Sequence, residues 1–206
     1  MPARMKAAAR RLQILETAAR CFAEHGYRGT TTAMLAKEAG ITEPILYRHF
    51  ANKHDLFIAL IESVGEEVFS NWREAIRNIP SPLGQLRAIL YRNPATADPV
   101  TRRVYRVIFH ASAEFTEPQI QDAIREHYRK YLRFLSKIVH KAQEAGEVRK
   151  DVTAEMLAWQ IIHAAVGFAM VRLLDIPGHG TAPFVDETIR LILELLSPLP
   201  DEKADR

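Results

Sequence analysis

The chain has 206 residues, of which 48% are hydrophobic and 26% are charged, and its formal net charge is +3. This length and balance fit one large or two small globular domains and exclude a disordered or collagen-like chain. One cysteine, Cys21, excludes an internal disulfide and a thiolate-rich metal cluster, which fits a reducing compartment.

The positive charge is concentrated at the start of the chain. Residues 1–53 hold nine Lys/Arg and four Asp/Glu, a net charge of +5, whereas the remaining residues carry −2. This asymmetry predicts a small basic module that faces a polyanion, ahead of a larger domain with another task. No apolar run of signal-peptide length follows the basic start, so we expect a cytoplasmic protein and not a secreted one.

Helical periodicity first appears over residues 7–25, and Gly26 follows as a C-terminal stop signal. The apolar residues of this stretch recur at spacings of three and four, at Ile14, Leu15, Ala18, Ala19 and Phe22. Thr31 and Thr32 then offer N-caps for a second, short helix that ends at Gly40.

A third short helix is predicted from Thr42 to about Phe50. Thr42 is expected to cap it, and Pro44 lies in its first turn, where the missing N–H costs nothing. The tight turn before it is formed by Gly40, Ile41 and Thr42.

The rest of the chain is also predicted to be helical. Turn-rich stretches at 78–84, 91–99 and 176–183 separate the helices, and no alternating Val/Ile/Thr-rich run predicts a strand. The remaining predicted helices are 53–78, 83–91, 100–114, 117–145, 153–174 and 184–197. The sequence therefore predicts an all-α fold of about nine helices.

One stretch has the length of a membrane span. Residues 156–174 contain 15 apolar residues in 19, interrupted by Gln160, His163, Gly167 and Arg172. Polar side chains in hydrocarbon are costly, and no Lys/Arg cluster beside the stretch indicates a membrane topology. We expect a helix that is buried by protein on several sides, and no membrane association.

Residues 31–56 have the pattern of a helix-turn-helix motif, in which the second helix enters the major groove of DNA. At about 100° per residue from Pro44, Tyr47 falls at about 300° and Arg48 at about 40°. Leu46 and Phe50 fall at about 200° and 240°, on the opposite side. The second helix is therefore expected to pack through Leu46 and Phe50, and to present Glu43, Pro44, Tyr47 and Arg48 to DNA.

The same segment resembles the N-terminal DNA-binding domain of TetR/AcrR-type bacterial transcriptional regulators. The residues that carry the resemblance are Thr31, Thr32, Leu35, Ala36, Ala39, Gly40, Ile41, Thr42, Leu46, Tyr47, His49, Phe50, Lys53 and Leu56. The resemblance implies a three-helix DNA-binding domain at residues 1–53. It also implies a helical domain at residues 54–206 that dimerises and binds a small molecule, which releases the DNA.

The resemblance also implies roles for individual residues. Thr32 would bond a phosphate, and Tyr47 and His49 would contact the DNA backbone. Lys53 would be the cation at the start of the fourth helix, and Thr42, Glu43 and Pro44 would lie at the end of the recognition helix that meets the bases. Hydroxyl, imidazole and ammonium groups can all donate to phosphate oxygens.

Base preference follows from the chemistry of three residues. Glu43 can only accept and so favours the N4 donor of cytosine, whereas Pro44 offers an apolar contact such as one with a thymine methyl. Arg48 is the best candidate for a guanine or a phosphate. The family more commonly has small or basic residues where Glu43 and Pro44 stand, so the bases that are read stay open.

The larger domain is expected to hold a dimer interface and a ligand site. Helices 153–174 and 184–197 carry more apolar surface than a monomer needs, and two such helices from each chain would form a four-helix interface. Aromatic and histidine side chains suit an apolar ligand but equally suit an ordinary core. The candidates are Trp72, Tyr105, Phe109, His110, Phe115, Tyr128, Trp159, His163 and Phe168.

An enzyme and a protein-interaction module are the two alternatives to a regulator. The sequence has no Gly-rich phosphate loop, HExxH or GxSxG motif, and His49 and His54 lack a third zinc ligand at a suitable spacing, so neither an enzyme, a cofactor nor a metal is expected. A helical protein-interaction module without specific DNA binding is the alternative. The favoured function is a repressor that binds a palindromic operator as a homodimer and is released by a small apolar or amphipathic effector.

Overall fold

The computed structural model describes residues 7–92, 105, 108–109 and 117–199. These residues form α-helices and turns, with no β-strand among them, which confirms the predicted all-α fold. The helices in chain order are α1 (Ala7–Gly29), α2 (Thr32–Glu38), α3 (Glu43–His49), α4 (Lys53–Ile76), α5 (Pro82–Tyr91), α6 (Pro118–Glu144), α7 (Ala154–Arg172) and α8 (Ala182–Leu196).

The predicted helix at 100–114 lies outside the described residues, apart from three positions. Tyr105, Ile108 and Phe109 are described, and each is helical. The total of about nine helices therefore stays a prediction, with eight helices described in the ranges above.

Helix α1 is broken where the sequence predicts its end. Gly26 has φ 70° and ψ 169°, a backbone conformation that favours glycine, and one further helical turn follows it. Thr30, which is fully buried, closes this break: its hydroxyl donates to the carbonyl oxygen of Gly26 at 2.7 Å and lies 3.1 Å from that of Cys21.

The chain forms two compact units. The first comprises Met1–Glu67 and Asp98–His127, and the second comprises Val68–Ala97 and Tyr128–Arg206. Helices α4 and α6 each contribute residues to both. The predicted division into a DNA-binding domain at residues 1–53 and a second domain at residues 54–206 stays a prediction.

The core of the first unit is built on α1 and α4. Phe22 and Phe57 are both buried, and their rings meet edge to face with centroids 5.4 Å apart. Leu35 of α2 and Leu46 of α3 are also buried. Burial of these apolar side chains holds the two short helices, which are too short to be stable alone.

The core of the second unit contains a cluster of aromatic rings. Phe69 and Trp72 of α4 pack against Tyr131 of α6, and each ring lies 5.1 Å from that of Tyr131. Glu147 accepts from the backbone N–H of Leu83 at 2.7 Å and so caps the first turn of α5. Side chains that are distant in sequence therefore define this unit.

Helix α7 is long enough and apolar enough to cross a membrane, by its length and composition alone. Its mean hydropathy over 18 residues is 1.4, and 28% of that stretch is buried within the described part of the chain. Much apolar surface on this helix is therefore uncovered in one copy of the chain. The core helices of non-membrane proteins meet the same two conditions, which therefore do not establish a membrane protein.

Candidate nucleic-acid interface

The second and third helices are joined by the tight turn that the sequence predicts. Gly40 has φ 63°, and the backbone N–H of Ile41 donates to the carbonyl oxygen of Ala36 at 2.9 Å. This is the bonding pattern of a helix that ends in a left-handed glycine. Nearby, Gln13 of α1 donates to the carbonyl oxygen of Ala39 at 3.2 Å and ties the end of α2 to α1.

Helix α3 has the two faces that its periodicity predicts. Leu46 is 2% exposed and Phe50 is buried, and the Arg11 guanidinium lies 4.5 Å from the centroid of the Phe50 ring. On the opposite side, Tyr47 is 48% exposed and Arg48 is also exposed. The predicted orientation of the recognition helix is therefore confirmed.

The prediction that Thr42 is the N-cap residue of α3 is confirmed, but the side-chain hydrogen bond of a cap is absent. Pro44 at the second helical position has no N–H to donate, so a cap would use the N–H of Ile45. This is the donor position that Thr31 and Thr153 use at their own helices. The N–H of Ile45, which is the next donor, instead bonds the backbone carbonyl oxygen of Thr42 at 2.9 Å. The exposed Thr42 hydroxyl therefore does not serve the helix end.

Two predicted phosphate ligands lie together at the surface. The Tyr47 hydroxyl of α3 donates to the Thr32 hydroxyl of α2 at 3.2 Å. Thr32 itself is not the cap of α2, because the Thr31 hydroxyl accepts from the backbone N–H of Met34. The side chains of Thr32 and Tyr47 can therefore meet the same phosphate.

The remaining predicted DNA contacts on α3 are the base contacts Glu43 and Pro44 and the backbone contact His49. Pro44 is exposed, whereas Glu43 and His49 are each partly buried. Glu43 is the acidic residue of the first turn, and Arg48 and His49 are the basic residues of the last turn. This order of charge suits the helix dipole whether or not DNA is bound.

Lys53 lies at the start of α4 but faces the end of α1. Its ammonium donates to the backbone carbonyl oxygens of Tyr27 and Thr30, at 3.0 and 2.9 Å, and lies 4.3 Å from the centroid of the Tyr27 ring. Burial lowers the pKa of Lys53. A role of Lys53 in joining α4 to α1 could not be inferred from the sequence, because its partners are 23 and 26 residues away.

We expect Lys53→Met to lower the free energy of unfolding by about 1–3 kcal/mol, because two hydrogen bonds from a charged donor are lost. Thermal unfolding of the variant measures this loss, with Lys37→Met as a control at an exposed position in α2. An unchanged melting temperature, together with a salt dependence of DNA binding that is weaker by about one phosphate contact per chain, would contradict it. That result would leave Lys53 as a phosphate ligand alone.

The aromatic residues predicted to line a ligand site lie in separate groups. Trp72 and Tyr128 both contact the ring of Tyr131, at centroid distances of 5.1 and 6.4 Å, in the second unit. Burial raises the pKa of Tyr128 to about 12. Tyr105 and Phe109 belong to the first unit, with their rings 6.0 Å apart. His110 and Phe115 lie outside the described residues.

The other three candidates lie on α7. Trp159 stacks on the exposed His163 with ring centroids 5.6 Å apart. Phe168 contacts His179 and Phe184 and lines a shallow open groove. The groove is formed by α5, α7 and α8, and its other lining residues are Leu90, Ala164, Ala165, Val185, Thr188, Ile189 and Ile192.

A metal-ligand set is not found in the described part of the chain. No group of three or more His, Cys, Asp or Glu side chains is close enough there to hold an ion. Cys21 is buried, and burial raises the pKa of its thiol.

Comparison with known proteins identifies both parts of the chain. Residues 14–60 match the family of bacterial regulatory proteins, tetR family, and residues 107–180 match the tetracyclin repressor-like C-terminal domain. The transcriptional regulator TtgR of Pseudomonas putida is 32% identical over 154 residues, which are 70% of this chain and 72% of TtgR.

Solved structures show the same fold. The fatty acid degradation regulator FadR of Bacillus halodurans has a TM-score of 0.78 at 18% identity, over 92% of this chain and 97% of its own. AibR, solved in complex with isovaleryl coenzyme A and operator DNA, has a TM-score of 0.69 at 22% identity, over 91% of this chain and 98% of its own.

Proposed function

The chain belongs to the TetR family of bacterial transcriptional regulators, and from that premise we propose that it is a ligand-responsive repressor. It binds a palindromic operator as a homodimer and leaves the operator when a small apolar or amphipathic molecule binds. Proteins of this family are DNA-binding regulators, not enzymes, and they are soluble, which fits the proposed cytoplasmic location.

The observation that carries this proposal is the two-faced recognition helix. Leu46 anchors α3 from behind, and Tyr47 and Arg48 are exposed on the opposite side. In the proposed complex, Arg48 meets a guanine or a phosphate. Glu43, Pro44 and Thr42 meet bases at the start of α3, and Thr32, Tyr47, His49 and Lys53 meet phosphates.

A homodimer accounts for the uncovered apolar surface of α7 and α8. Met170 of α7 and Leu174 in the turn after it are exposed, and so are Leu191 and Leu195 of α8. A monomer rarely leaves so much apolar surface in water, and a stable interface hides about 800 Å² on each partner. The proposed dimer buries this surface and presents two recognition helices about 34–36 Å apart, or further for a longer site.

The proposed effector site lies in the domain at residues 54–206. Trp72 and Tyr128 pack against Tyr131 in the core of the second unit. Phe168, in contrast, lines an open apolar groove, which supports an apolar or amphipathic effector. The solved complex of AibR with isovaleryl coenzyme A and operator DNA is an example of a protein of this fold with an amphipathic small molecule bound. Binding releases DNA to the extent that the effector favours the dimer state that does not fit the operator.

Selection from a pool of random duplexes tests the proposed function. We expect an enriched palindrome, and a log-log salt slope near −7, which corresponds to about four phosphate contacts per chain and eight per dimer. A scrambled duplex of equal length is the control. Enrichment of no palindrome, with little retention on DNA at low salt, would favour the protein-interaction module instead. A screen of apolar compounds for release of the enriched duplex then tests the effector.

A further inference from the structure

The first half of α6 lies beside the first half of α4 within one packed unit. At the start of α6, the Glu117 carboxylate opposes the burial effect that lowers the pKa of Lys53. Ten residues later, His127 meets α4 at Gly65. The intervals 53–65 and 117–127 span about 18 and 15 Å of helix, so the two segments run side by side in the same direction.

Gly65 has no side chain, and the ring of His127 fills the space beside it. We call this space the notch. His127 is buried, and a Cβ atom added at Gly65 would lie 3.1 Å from its Nδ1 and 3.5 Å from its Cε1. The hydroxyl oxygen of Tyr105 lies 3.5 Å from the Nε2 of His127, so the ring has a second neighbour at its other nitrogen. A side chain at position 65 would therefore push the ring towards Tyr105.

The notch is connected to the DNA-binding segment by continuous helix. From Gly65, α4 runs back without a break to Lys53. The Lys53 ammonium holds the last turn of α1 through the carbonyl oxygens of Tyr27 and Thr30. Because α4 is one continuous, rigid helix over these residues, a displacement of α4 at Gly65 also displaces the end of the helix at Lys53.

We propose that His127 is a positioning residue for DNA binding: its seat in the notch at Gly65 sets the placement of the helix-turn-helix segment through α4. This inference rests on DNA binding as the function of the chain. His127 lies in α6, outside the helix-turn-helix segment, and so acts on DNA binding without touching DNA.

The test is the set of variants Gly65→Ala, His127→Ala and the double variant, in the full-length protein. Gly65→Ala is expected to lower affinity for the enriched palindrome about tenfold, within the range of typical coupling free energies. His127→Ala alone empties the notch and is expected to lower affinity as well, whereas the double variant is expected to recover part of each loss, because the methyl group at position 65 then refills part of the space that the ring occupied. Alanine is also the better helix former, so the backbone effect of Gly65→Ala alone would raise the melting temperature.

A second measurement does not depend on the operator. Nitroxide labels on Lys37→Cys report the distance between the two DNA-binding segments of a dimer, while the native Cys21 is buried and stays unlabelled. We expect Gly65→Ala and His127→Ala each to shift this distance, and the double variant to bring it back towards the wild-type value. His140→Ala, which removes an exposed histidine from the same helix, is the control and is expected to change neither measurement.

The outcomes separate this inference from the proposed function. If the wild-type protein shows no preference for a palindrome, the proposed function fails, and the label distance still decides the role of His127. The inference is overturned if Gly65→Ala or His127→Ala alone leaves both affinity and distance unchanged, or if the double variant recovers neither. A Gly65→Ala protein that loses only thermal stability would likewise overturn it, because the contact would then serve packing alone.

Discussion

Replacing Arg48 by alanine is expected to weaken operator binding by the dimer at least about 30-fold, because a specific arginine contact contributes about 1–3 kcal/mol and each dimer has two. Arg48 is exposed on the outward face of α3, and the structure gives it no hydrogen bond or ion pair among the described residues. The free energy of unfolding should therefore change by no more than about 0.5 kcal/mol. Fluorescence anisotropy with the enriched duplex measures the affinity, and thermal unfolding measures the stability.

Arg77→Ala provides a matched control for this prediction. Arg77 is an exposed arginine whose partner is Glu74, three residues earlier, and it lies outside the first unit. If the Arg48→Ala protein binds the operator with wild-type affinity, Arg48 does not contact DNA. A repeated selection with that variant distinguishes its two possible partners. A lost preference at one base pair indicates a guanine, whereas a uniform loss with a weaker salt dependence indicates a phosphate.

Replacing Leu191 by glutamate is expected to separate the dimer into monomers. Leu191 is 53% exposed in α8 and lies on the apolar face that we assign to the interface. A two-fold interface would bury two such carboxylates without partners, and each unpaired buried charge costs several kcal/mol. Light scattering should then give a mass near 23.4 kDa.

Loss of the dimer should also lower operator affinity by about 10²–10⁴-fold, because a second linked contact raises affinity by that factor. Asn78→Glu, which adds the same charge at an exposed turn, is the control and should stay dimeric. If Leu191→Glu remains a dimer with wild-type affinity, the apolar face of α8 is not part of the interface. The partners of α7 would then have to be sought elsewhere.

The sequence predicted the helices closely because helical periodicity and glycine stops are local signals. Gly26 and Gly40 both have positive φ angles, at the positions where the sequence predicts helix ends. The two faces of α3 followed from residue spacing alone. The side chain of Thr42 makes no capping bond, because the N–H of Ile45 bonds the backbone carbonyl oxygen of Thr42 instead.

Local pattern by itself thus determined the all-helical fold, the position of the helix-turn-helix segment, and which side of α3 faces outward. Only the tertiary structure decided that Lys53 binds carbonyl groups of α1 and that His127 occupies a notch at Gly65. Those contacts join residues that are 23 to 62 positions apart in the sequence and lie in different helices. The helical period relates residues of one helix only, so it does not predict which residues of two helices meet. Such pairs are specified by how whole helices pack, and packing depends on all the side chains of an interface together.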